Sequence, residues 1–192
     1  MKKVIILGAG GNIAGHVIGL LAKKHDIQLS LFLRNKNRLK NAVAPNAAII
    51  EGDVLNHQQL KEAIAGQDMV YANLSGDLEA MAKNIVKAMS ETGVKKLIFI
   101  SSIGIYDNPL KPVLIPYRKA ADVIEASALD YTILRPAWFT GQHEVDYEIT
   151  RKGEPEKGSV ISQKSLATFI TEIIDSPEKY ARQSLGINKP NS

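Results

Sequence analysis

"VIILGAGGNIAG", Val4 to Gly15, decides the fold of this chain. Its first half is a short, uncharged apolar run, as a strand buried on both faces should be. Gly8, Gly10, Gly11 and Gly15 then fall directly after that strand and at the start of a helix. A glycine at the strand end permits a tight turn, and a second lets the backbone approach a pyrophosphate. The helix start offers unpaired N–H groups and the positive end of its dipole. Read as G-x-x-G-x-x-A, the key positions are Gly8, Gly11 and Ala14, the last small enough to pack helix against sheet. Glycines also serve plain turns. The strand, loop, helix context at the head of an alternating pattern instead favours a dinucleotide site, with Gly8, Gly10, Gly11, Asn12 and Ile13 as candidate contacts.

Further apolar runs of strand length recur at Leu29 to Leu33, Ala48 to Ile50, Met69 to Ala72, Leu97 to Ile100 and Tyr131 to Leu134. Each is separated from the next by a stretch of helical character. This alternation predicts a doubly wound parallel α/β sheet with helices on both faces. Asn56 heads "NHQQLKEAIAGQ", where Gln59 is placed to reach back in a capping box and Gly66 to close the helix. Asp77 and Gly93 bracket "DLEAMAKNIVKAMSETG" in the same way. "YDNPLKPVLIP" is rich in proline and reads as a long loop; the sequence leaves open whether Asp107 to Pro116 acts as a lid. "AWFTGQHEVDYEITRKGEPEKGS" reads as a small irregular substrate region, apart from a hairpin expected near Tyr147 to Lys152. Both follow C-terminal strand ends, the edge where open parallel sheets bind ligands.

At 192 residues, 45% hydrophobic and 23% charged, the chain is expected to form one domain, residues 1–192. It carries no apolar run of membrane-spanning length and no cysteine, which fits a reducing cytoplasm and argues against disulfides and thiolate chemistry. A net charge of +4, spread without aromatic interleaving, argues against a nucleic-acid partner. His16, His25, His57 and His143 lack metal-ligand spacing. Neither a nucleophile elbow nor a P-loop is present.

The cofactor choice is written at the end of the second strand. An acid there would bond a ribose 2′-OH and a base would accept a 2′-phosphate. The chain reads "LFLRNKNRLK", with Arg34 in the deciding place and its planar fork suited to phosphate. Asn35 and Arg38 are further candidates, whereas Lys36 and Lys40 read as solvated. NADP(H) is therefore expected over NAD(H).

The glycine loop, "LFLRN", "EGDVLN", "KKLIFISSIG", "LDYTILRPAW" and "SVISQKSLATFI", in this order, resemble the atypical short-chain dehydrogenases/reductases over nearly the whole chain. Within that group they resemble the NmrA-like, NAD(P)H-binding branch that includes biliverdin reductase B and its flavin reductase activity. The resemblance implies a Rossmann-like fold with the cofactor across the C-terminal edge of the sheet. It places Asp53 and Val54 at the adenine, and Leu74, Ser75 and Gly76 at the ribose and pyrophosphate. It places Ser101 and Ser102 near the nicotinamide, with Ser102 the candidate catalytic hydroxyl. Pro136 and Ala137 would give backbone contacts on the nicotinamide side, and Lys119 would hold a ribose hydroxyl. The alternatives are a turn-forming acid at Asp53, a serine bonding local backbone at 102 and a solvated first-turn lysine at 119. A histidine of the flavin reductases falls where Trp138 stands here. Trp138 and Phe139 either wall a flat substrate or close the core under the long loop. Arg135, ahead of a proline, must be extended.

Enzymes of this superfamily place a lysine four residues after a tyrosine, so that both share a helix face. The lysine charge then lowers the tyrosine pKa from about 10. In "IPYRKAADVIE", Lys119 sits at the lysine place, but Ile115 lies four residues before it and Ala121 four after Tyr117. At about 100° per residue, Tyr117 and Lys119 point some 200° apart on a helix. Tyr117 is left as a pocket-edge residue, and Ile103 takes a place often held by a catalytic Ser or Thr. This argues against alcohol dehydrogenation and sugar epimerisation. It leaves NADPH-dependent hydride transfer to a small conjugated acceptor such as a flavin or quinone, where water can supply the proton. The alternative is a non-catalytic, NmrA-like redox sensor reporting to a regulatory protein partner.

Overall fold

A computed structural model describes residues 1–39 and 46–192. The glycine stretch does what its spacing predicts: β1 (Lys2–Leu7) ends at the loop and α1 (Asn12–Leu21) starts behind it. The chain continues through β2 (Ile27–Leu33), β3 (Ala48–Glu51), α2 (His57–Ile64), β4 (Met69–Ala72), α3 (Leu78–Thr92) and β5 (Lys96–Ile100). Then come α4 (Ile115–Glu125), β6 (Asp130–Pro136), β7 (Trp138–Thr140), β8 (Glu148–Arg151), β9 (Val160–Ser162), α5 (Gln163–Asp175) and β10 (Gln183–Asn188).

Eight strands form the main sheet in the order β3-β2-β1-β4-β5-β6-β10-β8, parallel throughout except for the antiparallel β10–β8 pair. This is the expected Rossmann-like sheet. Successive residues of β1 serve opposite faces: Val4 and Ile6 pack under α1 and α5, Ile5 and Leu7 under α2, α3 and α4. From β1 the chain winds to β2 and β3 on one side, then crosses to β4 on the other. That reversal opens a crevice over the C-terminal ends of β1 and β4, the usual binding position of such sheets.

Local signals hold the helices in place. Asn56 accepts the Gln59 N–H at 3.1 Å and Asp77 the Ala80 N–H at 3.1 Å, while Gly93 closes α3 at φ +75°. The expected capping box forms only in half. The Gln59 side chain accepts the Asp53 N–H at 3.1 Å, because the Asn56 N–H already bonds the Asp53 carbonyl at 2.9 Å.

The hairpin expected near Tyr147 to Lys152 does not form. Glu148 to Arg151 make a strand, but it pairs across the chain with Asn188 to Leu185 of β10. The region read as irregular also contains β7, which pairs in parallel with β9 just beyond it. The long proline-containing loop shortens into a 3-10 turn at Pro112–Leu114 that runs into α4 at Ile115. Among the described residues no helix is long and apolar enough to cross a membrane.

Candidate cofactor crevice and acceptor edge

Gly8 is the pivot of the crevice. Its φ is +82°, and a Cβ there would lie 2.1 Å from the Asn73 carbonyl oxygen. Only a glycine lets the ends of β1 and β4 come this close. The Gly11 N–H bonds the Gly8 oxygen at 3.0 Å, closing the turn. Gly11 is also the N-cap of α1, with no side-chain cap bond and no acid in the first turn. The start of α1 is thus suited to an anion.

An open groove with about 700 Å³ of empty space, mouth included, runs from this turn. Gly8, Gly10 and Gly11 form one wall, Arg34, Asn35 and Arg38 the next. Asp53, Val54, Leu74 and Ser75 complete it. Ten of the sequence-derived cofactor residues therefore meet in one place. Arg34 and Arg38 are exposed there. Asn35 has a local task, accepting the Asn37 N–H at 2.9 Å to cap a 3-10 turn. Lys36 pairs with Glu51 at 3.7 Å, and Lys40 lies outside the described residues. Asp53 accepts the Leu55 N–H at 2.9 Å, so it is a turn-forming acid while lining the groove. An uncapped helix start beside two exposed guanidinium groups fits a dinucleotide that carries an additional phosphate.

The remaining candidates spread over the same edge. Asn12 opens α1 and is exposed, while Ile13 is buried in the core beneath it. Gly76, at φ +115°, is exposed in the turn before α3. The Ser101 hydroxyl is buried and without a partner among the described residues. Ser102 is half-buried and donates to the Ile103 carbonyl at 3.2 Å. Pro136 and Ala137 are less free than expected. The Pro136 carbonyl accepts the Ile103 N–H at 3.1 Å, and the Ala137 N–H donates to Ile187 at 3.0 Å. Trp138 is 77% exposed and Phe139 47%, which removes the core-closing alternative for both. Tyr117 is half-buried against the α2–α4 core. Lys119 is exposed and pairs with Glu79 at 3.0 Å. Glu79 also binds Lys83 at 2.7 Å, and these two lysines, Lys83 first, hold its carboxyl below the ordinary value.

Some site residues escaped the sequence reading. Asn73, Gly52, Phe32 and Met81 also line the groove. Asn73 directly precedes Leu74 at the end of β4, a position that could have marked it. Gly52 is glycine because a Cβ would sit 2.7 Å from the Phe32 ring. Arg135, left open by its place before proline, is buried and pairs with Glu156. Burial pushes its guanidinium below the ordinary arginine value. Its Cζ lies 5.1 Å from the Tyr106 ring centre, which Arg118 and Lys152 also flank at 5.0 and 4.5 Å. The Tyr106 phenol is pushed upward, first by burial and then by its bond to Glu125.

The NAD(P)H-binding family model matches residues 8–177. A Rossmann-fold NAD(P)-binding family protein from Shigella flexneri is 51% identical, with a TM-score of 0.93 over 100% of this chain and 95% of that one. A short-chain dehydrogenase/reductase from Veillonella parvula, solved in complex with NADP, is 26% identical, with a TM-score of 0.91 over 99% and 95%. An uncharacterized sugar epimerase of Bacillus subtilis is 25% identical over 85% of this chain and 79% of that protein. Isoflavone reductase of Cicer arietinum is 27% identical over 83% of this chain, which spans only 58% of the plant protein. Glycine loop, switch-point crevice and these matches agree: the chain belongs to the NAD(P)H-binding family of Rossmann-fold, short-chain dehydrogenase/reductase-like proteins.

Proposed function

We propose that the chain is an NADPH-dependent reductase that passes hydride to a small conjugated acceptor such as a flavin or quinone, without a tyrosine–lysine pair. The observation that carries this is the division of the edge into two ends. One is a groove with an uncapped helix start and two exposed guanidinium groups; the other carries Ser102, on the loop leaving β5, and the exposed Trp138 and Phe139, on the strand that follows β6.

The first end supports NADP(H) over NAD(H). Gly8, Gly10, Gly11, Asn12 and Ile13 bring backbone to the pyrophosphate. Arg34 and Arg38 meet the 2′-phosphate, with Asn35 holding their turn. Asp53 and Val54 flank the adenine, Leu74, Ser75 and Gly76 the ribose. When bound, the dinucleotide supplies the hydride.

At the second end Ser101 and Ser102 orient the carboxamide or the acceptor, above the strand end made by Pro136 and Ala137. Trp138 and Phe139 provide an aromatic wall for a flat molecule. Tyr117 packed on the core and Lys119 held by Glu79 support a route without a strong side-chain acid. Water can protonate an acceptor whose added charge is delocalised. The same two side chains weigh against an epimerase, which must move a proton at a sugar carbon.

The deciding experiment follows NADPH and NADH oxidation across flavins, naphthoquinones and simple aldehydes or ketones. Turnover with the first two classes, faster with NADPH and reduced in Ser102→Ala, is expected. Faster turnover with NADH overturns the role of Arg34. Binding of NADP(H) with no turnover on any acceptor overturns the reductase and leaves a dinucleotide sensor.

A further inference from the structure

We propose that the acceptor carries a carboxylate, which replaces Glu156 on a site formed by Arg135 and the Gly104 N–H. Placing this site beside the reacting end of the cofactor rests on the reductase reading above.

The site begins with a gap in the helical cover. On the α2–α4 face, β10 presents small and polar residues, and the Arg135 side chain lies across them. A Cβ on Gly186 would meet the Thr150 hydroxyl at 2.4 Å and Arg135 Nη2 at 3.6 Å. Arg135 is 2% exposed, and burying a guanidinium is costly unless it is paired. Its carboxylate partner among the described residues is Glu156, bound through Nη1. Nε and Nη2 are buried with no hydrogen-bond partner among those residues. The guanidinium is thus under-satisfied, in contrast with most buried polar groups.

The second Glu156 oxygen accepts the Gly104 N–H at 2.7 Å. Gly104 lies two residues beyond Ser102, on the loop leaving β5. Guanidinium and amide together therefore grip both oxygens of one carboxylate next to the proposed acceptor position. This is the donor set for recognising an acid.

Its present occupant comes from a surface strap. Glu156 sits in "KGEPEKG", Lys152 to Gly158, between two glycines at positive φ, Gly153 at +91° and Gly158 at +62°. Its neighbours Glu154, Pro155 and Lys157 are all exposed. The strap thus lies on the surface with one side chain turned inward. The other cations around Tyr106 have their own acids, Arg118 with Asp122 at 2.7 Å and Lys152 with Glu125 at 2.8 Å. Turning the Glu156 side chain out leaves Arg135, of these three cations, without an acid among the described residues. A carboxylate ligand restores the balance and a neutral one does not, so the exchange selects acids.

Because Glu156 competes with the ligand, apparent affinity falls by the fraction of molecules with the strap open. For an open state populated at about 0.1–10%, Glu156→Gln tightens carboxylate binding by about 10- to 1,000-fold. The probes are benzoate and benzamide, with two readouts. One is fluorescence of Trp138, the chain's one tryptophan, whose backbone N–H bonds the Ser159 carbonyl at 3.0 Å where the strap ends. The other is trypsin cleavage at Lys152 and Lys157.

Benzoate should shift the fluorescence saturably and speed cleavage of the wild type; benzamide should do neither, and Glu156→Gln should bind benzoate tighter by the factor above. No saturable benzoate effect, equal effects of the amide, or unchanged affinity in Glu156→Gln overturns the proposal. If Glu156→Gln does not fold, wild-type cleavage with the two probes decides alone. NADPH oxidation with a neutral quinone separates the two ideas. Turnover without benzoate binding removes the carboxylate site only, and benzoate binding without turnover removes the reductase only.

Discussion

Gly8→Ala is the sharpest test of how β1 and β4 build the crevice. The new Cβ would start 2.1 Å from the Asn73 oxygen and must reach at least 3.0 Å, a separation that something in the crevice has to absorb. Neither side yields freely. The Gly8 N–H bonds Phe32 at 3.0 Å and the Asn73 N–H bonds Leu7 at 3.0 Å, so relief strains or breaks a sheet hydrogen bond. That bond contributes about 1 kcal/mol. Holding alanine at φ +82° adds about 1–2 kcal/mol, and overpacking about 1–3 kcal/mol. The expected loss is about 3–6 kcal/mol; at a urea slope of about 2 kcal/mol/M the unfolding midpoint falls by about 1.5–3 M. NADPH affinity, read by titration calorimetry under native conditions, should fall as well. Gly15→Ala is the control, since a Cβ there meets nothing within 4 Å. It should gain about 0.5–1 kcal/mol as a helix-interior alanine and leave the cofactor affinity unchanged. A Gly8→Ala variant within about 0.5 kcal/mol of wild type, binding NADPH normally, would refute the close-approach argument.

Arg34→Ala should raise the KM for NADPH about tenfold and that for NADH less than about twofold, with the difference shrinking in high salt. Steady-state kinetics with both cofactors at two ionic strengths checks this. Trp138→Ala removes an exposed ring, so stability should stay within about 0.5 kcal/mol. In the same variant kcat/KM for a flavin should fall about two- to tenfold, read as NADPH oxidation. Glu79 and Glu91 both titrate below the ordinary glutamate value of 4.5, each held down first by a lysine, Lys83 and Lys61 respectively. A carboxyl whose folded pKa is lowered contributes stability above 4.5 and loses it as pH falls through the lower value. Urea midpoints should therefore decline below pH 4.5, less steeply in Glu79→Gln; an equal slope in that variant would sink the assignment.

Most of the sheet was legible because its central strands are buried on both faces and stand as unbroken apolar runs. β10 was not read, since Ser184, Gly186 and Asn188 interrupt its apolar residues Leu185 and Ile187. The polar positions face Arg135 and Thr150 instead of a helix, and only the paired β8 makes sense of them. The expected hairpin erred for a related reason: turn residues in sequence reveal where a strand ends, not which distant strand it joins.

Within the site, the glycine loop, Arg34 and Arg38 were readable because residue type and place after a strand together specify the chemistry. Gly52 and Met81 became visible only when crossovers brought them to the same groove. Lys119 is instructive in another way. Its place in the chain suits a catalytic lysine, yet Glu79 of α3 takes its charge.

By itself, then, the sequence determined the alternating sheet, the glycine turn and the cationic end of β2, because each follows from local periodicity and from what glycine and arginine alone can do. Tertiary structure decided the partners. The contact of Gly8 with Asn73, the pairing of β8 with β10, and the grip of Arg135 and Gly104 on Glu156 join residues far apart in the chain. Burial and packing set those contacts, and neither is written in any one segment.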